Sequence, residues 1–162
     1  MTIRAEAEKL LKYDFIYPVP LTKWVSNIVP VTKKQGAIRV YVDYRDLNLA
    51  CPKDNYPTPF IDQIVDKCAE SAIFSFMDGF SGYNQIEIHP SDQHKPACIC
   101  PWGTFSYRKL PFGLKNVGAT FQRAMSSAFH DMRHIADPYL DDLPVHSYRR
   151  EDHLTHLRAI FL

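Results

Sequence analysis

The chain has 162 residues and a formal net charge of +1; 46% of its residues are hydrophobic and 23% are charged. This composition is typical of one folded domain, or of a two-lobed part of a larger one, and excludes an intrinsically disordered chain. The near-neutral charge excludes a protein that is basic overall, so any nucleic-acid surface must be local.

The sequence predicts no membrane partner, because it contains no apolar run of 18 residues and its first six residues hold no apolar leader. Its four cysteines lack the spacing of a zinc site, which predicts reduced thiols in an intracellular protein. Its 12 prolines predict a loop-rich architecture.

The first predicted elements are a short helix and a β-hairpin. Hydrophobic periodicity predicts the helix over 4–12 and the strands over 25–31 and 38–42. The hairpin turn carries Lys33 and Lys34, and Arg39 follows on the second strand. These cations can hold phosphate oxygens, although a solvated basic turn is the more usual explanation for lysines at a hairpin tip.

The later elements are helices and short strands in irregular alternation. In chain order the patterns predict a Pro-rich connection over 52–59, a helix that begins at Thr58–Pro59, a strand over 72–77 that ends at Asp78, and a hairpin with strands over 97–100 and 104–108. A long helix then follows Asn116, with a buried face formed by Val117, Phe121, Ala124, Met125 and Ala128. A tight turn over 139–145 and an amphipathic final helix complete an α+β chain with an antiparallel sheet.

Two adjacent aspartates, Asp141 and Asp142, lie in the predicted turn, and Asp78 ends an apolar strand. Two carboxylates about 4 Å apart repel by roughly 4 kcal/mol in a surface-like dielectric. Three carboxylates brought together by the fold would suit Mg²⁺, which prefers oxygen ligands, and a small acidic cluster suffices for phosphoryl transfer. A solvated turn explains the Asp–Asp pair when it is considered by itself.

Further motifs occur in an order that matches one family. The runs are Trp24–Val31, Arg39–Asn48 (RVYVDYRDLN), Pro52–Asp54, Phe74–Ile86 (FSFMDGFSGYNQI), Thr104–Gln122 (TFSYRKLPFGLKNVGATFQ) and the YxDD box Tyr139–Asp142. From about Leu10 to Phe161 the chain resembles the reverse transcriptase of gypsy-type LTR retrotransposons, which is related to the retroviral polymerases.

The resemblance implies a right-hand polymerase fold whose antiparallel palm sheet is flanked by helices. Residues 1–52 and 86–116 are expected to form the fingers, and residues 53–85 and 117–162 a truncated palm. The thumb, RNase H and integrase regions of the polyprotein are expected to be missing from this chain.

The resemblance also assigns site residues. It implies that Asp78, Asp141 and Asp142 are catalytic and hold two Mg²⁺ ions, for which Mn²⁺ can substitute. The residues implied to bind the incoming deoxynucleoside triphosphate are Lys33, Lys34, Arg39, Tyr83, Phe112 and Gly113. Among these, Tyr83 would block a ribose 2′-hydroxyl, and Gly113 is expected to permit a close backbone approach.

The expected function is RNA-directed DNA polymerase activity, which transfers deoxynucleotides onto a primer 3′-OH on an RNA or DNA template. In an intact element the enzyme would act in a cytoplasmic virus-like particle. Gln122 and Arg123, on the long helix, are expected either at the surface or facing the template and primer.

Two prolines that depart from the family pattern, together with the early end expected for the chain, leave alternatives open. Pro138 and Pro144 flank the Asp–Asp pair and cannot donate to a sheet ladder, so they are expected to strain the hairpin. The chain is therefore either a polymerase segment or a truncated, inactive remnant that at most binds nucleic acid. A non-catalytic nucleic-acid-binding module is a weaker alternative because the near-neutral charge argues against strong binding to a phosphate backbone. A metal-dependent nuclease is also weaker, since hydrolysis needs neither a triphosphate grip nor a sugar gate.

Overall fold

The computed structural model describes residues 3–32, 38–79 and 82–162. Within these residues the helices are α1 (Ile3–Lys12), α2 (Arg45–Ala50), α3 (Ile61–Ala69), α4 (Val117–Ala128) and α5 (His153–Phe161). The strands are β1 (Ile16–Pro18), β2 (Ser26–Thr32), β3 (Ile38–Val42), β4 (Ile73–Asp78), β5 (Ala97–Cys100), β6 (Gly103–Tyr107) and β7 (Asp142–Ser147). The chain divides into one unit of Met1–Lys53 with Tyr83–Val117 and a second unit of Asp54–Gly82 with Gly118–Leu162.

The first unit contains a five-stranded sheet in the order β1-β6-β5-β2-β3. Its neighbouring strands pair antiparallel except β2 and β5, which run parallel, so this sheet is mixed. Both predicted hairpins, β2–β3 and β5–β6, are confirmed. Tyr44 is buried in the core of this unit, where its hydroxyl donates to the Pro96 carbonyl at 3.1 Å.

The second unit contains the antiparallel pair β4–β7, whose two faces differ in burial. On one face, Met77, Leu143 and Val145 join a hydrophobic core that includes residues of α4 and α5. We call the other the open face. It carries Phe74 and Phe76, which are 47% and 65% exposed and pack edge to face with ring centroids 5.3 Å apart. A cavity of about 570 Å³, lined mainly by apolar side chains of α3, β4 and β7, adjoins this face.

Histidines of α5 attach that helix to the sheet of the second unit. The two ring nitrogens of buried His153 lie 2.9 Å from the hydroxyls of Ser75 and Ser147. The Nδ1 atom of His156 also lies 2.7 Å from the Ser147 hydroxyl. These contacts supply partners for polar groups whose burial would otherwise be costly.

Two helices, α3 and α4, differ from the sequence expectations. Helix α3 begins at Ile61, not at Thr58–Pro59, because Phe60 keeps an extended backbone at the N-cap position. On α4, Val117 and Phe121 are buried as predicted, whereas Ala124 and Ala128 are exposed.

No helix in the described part of the chain is long and apolar enough to cross a membrane.

The core of the second unit yields a stability prediction. Leu143→Ala removes a side chain that is 7% exposed, and we expect it to lower the free energy of unfolding by about 2–5 kcal/mol through lost burial and a residual cavity. The matched control is Leu154→Ala, at a position that is 68% exposed, with an expected change within about 0.5 kcal/mol. Urea denaturation followed by circular dichroism measures both; equal effects would contradict the proposed core.

Candidate active site

The three candidate carboxylates lie at adjoining ends of β4 and β7. Asp78 is the last residue of β4 and is directly opposite Asp142, the first residue of β7. The backbone N–H of Gly79 donates to the Asp141 carbonyl at 2.8 Å, which attaches the end of β4 to the turn before β7. The pairing register therefore brings the backbone of Asp78 beside those of Asp141 and Asp142, which lie far from it in the sequence.

The turn that carries Asp141 is a two-residue hairpin connection. Tyr139 and Asp142 exchange both backbone hydrogen bonds at 2.9 Å, so Leu140 and Asp141 form its tip. Leu140 has a φ of +50°, a left-handed conformation that is uncommon for residues other than glycine, asparagine and aspartate. Such conformations persist when the surrounding structure holds them.

The two flanking prolines do not prevent the hairpin from forming. Pro144 pairs with Phe76 of β4, and its carbonyl accepts from the Asp137 N–H at 3.2 Å. The N–H and C=O of one strand residue point to the same edge, so the nitrogen of Pro144 faces the side of Asp137 and away from β4. The ladder between β4 and β7 consequently loses no donor at Pro144, and the hairpin forms with both prolines in place.

Gln122 of α4 contacts the hairpin from its buried side. Its side chain is fully buried; Nε2 donates to the Pro138 carbonyl and Oε1 accepts from the Leu140 N–H, both at 2.8 Å. The expectation that Gln122 lies at the surface or faces the template and primer is therefore wrong.

Electrostatics at the strand ends favours a bound cation. Like charges directly opposite each other destabilise an antiparallel pair, and Asp78 and Asp142 are both exposed in this position. The donor set consists of carboxylate oxygens, which suit Mg²⁺. Within residues 3–32, 38–79 and 82–162, however, no three His, Cys, Asp or Glu side chains are grouped closely enough to hold a metal ion.

Two residues implied to line the nucleotide pocket lie together in the first unit. The rings of Tyr83 and Phe112 pack edge to face, with centroids 5.5 Å apart and an interplanar angle of 81°. Phe112 is 65% exposed, so much of its ring remains accessible. Gly113 has a φ of +101°, and an added Cβ would meet its neighbours at 3.7 Å or more, so the glycine is required by its backbone conformation rather than by a close approach.

Asn48 supports the loop that carries Phe112 and Gly113. Its side-chain Nδ2 donates to the Gly113 carbonyl at 2.8 Å, and its Oδ1 accepts from the Lys115 N–H at 2.7 Å. Two hydrogen bonds from one carboxamide hold both sides of this loop against α2.

The candidates for binding the triphosphate are Lys33, Lys34 and Arg39. Lys33 and Lys34 lie outside the described residues. Arg39 lies in β3, where its backbone pairs with Val31.

Most of the chain matches the model of one protein family. The family model for "Reverse transcriptase (RNA-dependent DNA polymerase)" matches residues 31–161. The chain belongs to the reverse transcriptase family. It is therefore a member of a family of nucleotidyltransferases, and the coarser part of the sequence resemblance is confirmed.

Relatives of this reverse transcriptase domain occur in transposon polyproteins and in a plant. The chain is 34% identical over 132 residues to the Transposon Tf2-3 polyprotein of Schizosaccharomyces pombe, a match that covers 80% of this chain and 10% of that polyprotein. It is 36% identical over 128 residues to an RNA-directed DNA polymerase homolog of Oenothera berteroana, which covers 76% of this chain and 90% of that protein. The chain thus spans about a tenth of the length of the Tf2 polyprotein.

Solved structures confirm the right-hand polymerase fold. The native prototype foamy virus protease–reverse transcriptase matches 98% of this chain with a TM-score of 0.87 at 21% identity, and the match covers 21% of that chain. The foamy viral enzyme in complex with an RNA/DNA hybrid matches 99% of this chain with a TM-score of 0.84 at 20% identity, covering 22% of that chain. At these identities the likeness shows the fold.

Gln122 and Asn48 are the residues whose contacts the sequence motifs did not reveal. Gln122 lies one residue after Phe121 and three before Met125, on the apolar side of α4, and a polar residue there signals a buried hydrogen-bonding role. Asn48 ends the RDLN run, and nothing in its sequence neighbourhood indicates a partner in the loop at Gly113.

Arg123 attaches the Pro-rich segment to α4 in this reverse transcriptase domain. Its guanidinium lies 2.7 Å from the Asp54 carboxylate and stacks over the Tyr56 ring at 4.8 Å. The hydrogen bond from Arg123 lowers the pKa of Asp54, and a backbone hydrogen bond from Tyr56 acts in the same direction.

We expect Arg123→Gln to raise the pKa of Asp54 towards the ordinary value for aspartate. Because the pKa is lowered in the folded state, this pair stabilises the fold above the unfolded-state pKa and loses its effect as the pH falls through the folded-state pKa. A carbon-13 NMR titration of the Asp54 carboxyl measures the shift, with the exposed Arg133→Gln as control. An unchanged Asp54 titration in Arg123→Gln would refute the assignment.

Proposed function

We propose that the chain is the fingers–palm segment of the RNA-directed DNA polymerase of a gypsy-type LTR retrotransposon polyprotein. The observation that carries the proposal is the register that sets Asp78 opposite Asp142 beside the Asp141 turn, in a chain of the reverse transcriptase family. The order of the motifs around these residues supports the gypsy-type assignment.

In this proposal Asp78, Asp141 and Asp142 would hold Mg²⁺, or Mn²⁺ in its place, at the open ends of β4 and β7. Two such ions, when bound, would activate the primer 3′-hydroxyl and stabilise the leaving pyrophosphate. The chain's own contribution is to hold Asp78, at the end of β4, beside the hairpin that carries Asp141 and Asp142, with hydrogen bonds that attach this hairpin to β4 and α4.

The nucleotide-binding role belongs to residues of the first unit. We assign Lys33, Lys34 and Arg39 to the triphosphate, since cations at these positions would offset its charge. Tyr83 and Phe112 form the aromatic surface for the sugar and base, and their edge-to-face packing supports a stiff wall against a ribose 2′-hydroxyl. Asn48 holds the Phe112 loop in place.

The subdomain assignment follows the two units. We assign the fingers to residues 1–52 and 86–116 and the palm to residues 53–85 and 117–162. The division at Lys53–Asp54, Gly82–Tyr83 and Val117–Gly118 supports these boundaries to within a few residues.

The proposed partners are a primed RNA or DNA template, deoxynucleoside triphosphates and the thumb, RNase H and integrase regions of a polyprotein. The foamy viral structure with a bound RNA/DNA hybrid supports a nucleic-acid partner for this fold. The proposed setting is a cytoplasmic virus-like particle of the intact element.

One observation favours a second candidate, an inactive remnant that binds nucleic acid. The carboxylates are not grouped into a ready metal site among the residues that the structure describes. The two candidates differ in whether Mn²⁺ or Mg²⁺ binds at the three aspartates, and this difference is measurable.

Metal binding and primer extension test the proposed chemistry. We expect the chain to bind Mn²⁺ and to extend a DNA primer on an RNA template with Mg²⁺ and deoxynucleotides. Asp142→Asn should reduce extension at least about a hundredfold, because metal stabilisation of developing charge is worth several kcal/mol. Asp62→Asn, at an exposed aspartate of α3, is the matched control and should leave both unchanged. Extension or Mn²⁺ binding that survives Asp142→Asn intact would reject the site, and an absence of both in the parent would favour the remnant.

The sugar gate gives a separate prediction. Tyr83→Val should increase the use of ribonucleotides relative to deoxynucleotides by about 10–100-fold, since removing the ring leaves room for the 2′-hydroxyl. The measurement is the ratio of kcat/KM for the two nucleotide types in primer extension. Tyr41→Val, at an exposed tyrosine of β3, should leave the ratio at its parental value. A parental ratio in Tyr83→Val would remove Tyr83 from the sugar gate.

A further inference from the structure

The carboxamide of Gln122 is matched to the backbone on both sides of Tyr139. It donates to the Pro138 carbonyl and accepts from the Leu140 N–H, each at 2.8 Å, while the side chain is fully buried. A third hydrogen bond, from Nε2 to the Ser126 hydroxyl at 3.3 Å, lies within α4. One donor and one acceptor in a fixed arrangement are needed to make both hairpin contacts, and a carboxamide provides them.

The residue that Gln122 contacts is under backbone strain. Leu140 and Asp14 are the residues other than glycine, among those described, that have a positive φ. A leucine at +50° places its Cβ in an unfavourable position, and such a conformation persists only when neighbouring contacts hold it. Gln122 holds the backbone N–H group of Leu140, and the next two residues in the chain are Asp141 and Asp142.

We propose that Gln122 is a positioning residue that holds Leu140 in its left-handed conformation and thereby sets the presentation of Asp141 and Asp142. The role in metal binding rests on the proposed function, whereas the effect on the conformation of Leu140 does not. Methionine at position 122 would keep the volume without either hydrogen bond, and asparagine would be one methylene too short to reach.

The variants separate this role from simple packing. Gln122→Met removes both hairpin hydrogen bonds, and Ser126→Ala, the matched control, removes the third bond of Gln122 and leaves the hairpin contacts. Leu140→Gly removes the strain, because glycine adopts a positive φ readily. A glycine at position 140 can therefore rescue a lost restraint on the backbone, but it cannot refill a packing defect at position 122.

The measurements are amide hydrogen exchange at Leu140 by NMR and Mn²⁺ affinity by electron paramagnetic resonance, with circular dichroism to monitor folding. We expect Gln122→Met to accelerate amide exchange at Leu140 and to weaken Mn²⁺ binding, each by about tenfold. A tenfold change matches the energy that one strained backbone conformation of this kind typically stores. Ser126→Ala should match the parent. The combined Gln122→Met and Leu140→Gly variant should recover most of the Mn²⁺ affinity.

Several outcomes decide the proposal. Parental exchange and Mn²⁺ affinity in a folded Gln122→Met variant would overturn it, as would an equal effect of Ser126→Ala. If Gln122→Met does not fold, recovery of folding by adding Leu140→Gly supports the proposal, and failure of that recovery overturns it. A parent chain that binds no Mn²⁺ rejects the proposed function, while exchange at Leu140 still decides whether Gln122 holds the turn.

Discussion

The register between β4 and β7 is the constraint on which the second unit depends. It sets Asp78 opposite Asp142, and it also directs Met77, Leu143 and Val145 into the core. Because side chains alternate along a strand, a slip of one residue would move each of them to the other face. The same strand pairing therefore specifies both the hydrophobic core and the candidate site, and a change of register would disrupt both.

The hairpin tip is strained, although it lies at the end of a regular and well-packed strand pair. The core residues of β7 lie in a regular ladder, whereas Leu140 occupies a strained conformation at the end of that ladder. Strain of this kind is common at functional sites, where the surrounding structure determines a geometry that the local chain would not choose. Here the surroundings act through a buried helix side chain, while the histidines of α5 secure the other end of β7 through Ser147.

Local sequence patterns were sufficient to predict most helices and strands. The features that they missed depend on contacts between residues that are distant in the sequence. Apolar, β-prone runs bounded by turn residues predicted both hairpins of the first unit and the strand that ends at Asp78, because such runs are a local property of the sequence. The start of α3 was misplaced because Thr58–Pro59 resembles a helix start, yet Phe60 stays extended. The role of Gln122 depends on where residues 138–140 lie in space, which no spacing in the sequence expresses. The meeting of Asp78 with Asp142 was expected from family resemblance, since the residues between them give no local indication of the pairing.

The open face of the β4–β7 pair affects how the chain behaves in solution. Phe74 and Phe76 expose much of their ring surface beside an apolar cavity, and water solvates such a patch poorly. Covering this patch lowers the free energy of the folded chain, so any association that does so adds to the stability measured. Association of copies of the chain through this patch would make the midpoint of thermal unfolding rise with protein concentration, and values obtained at different concentrations would then describe different equilibria.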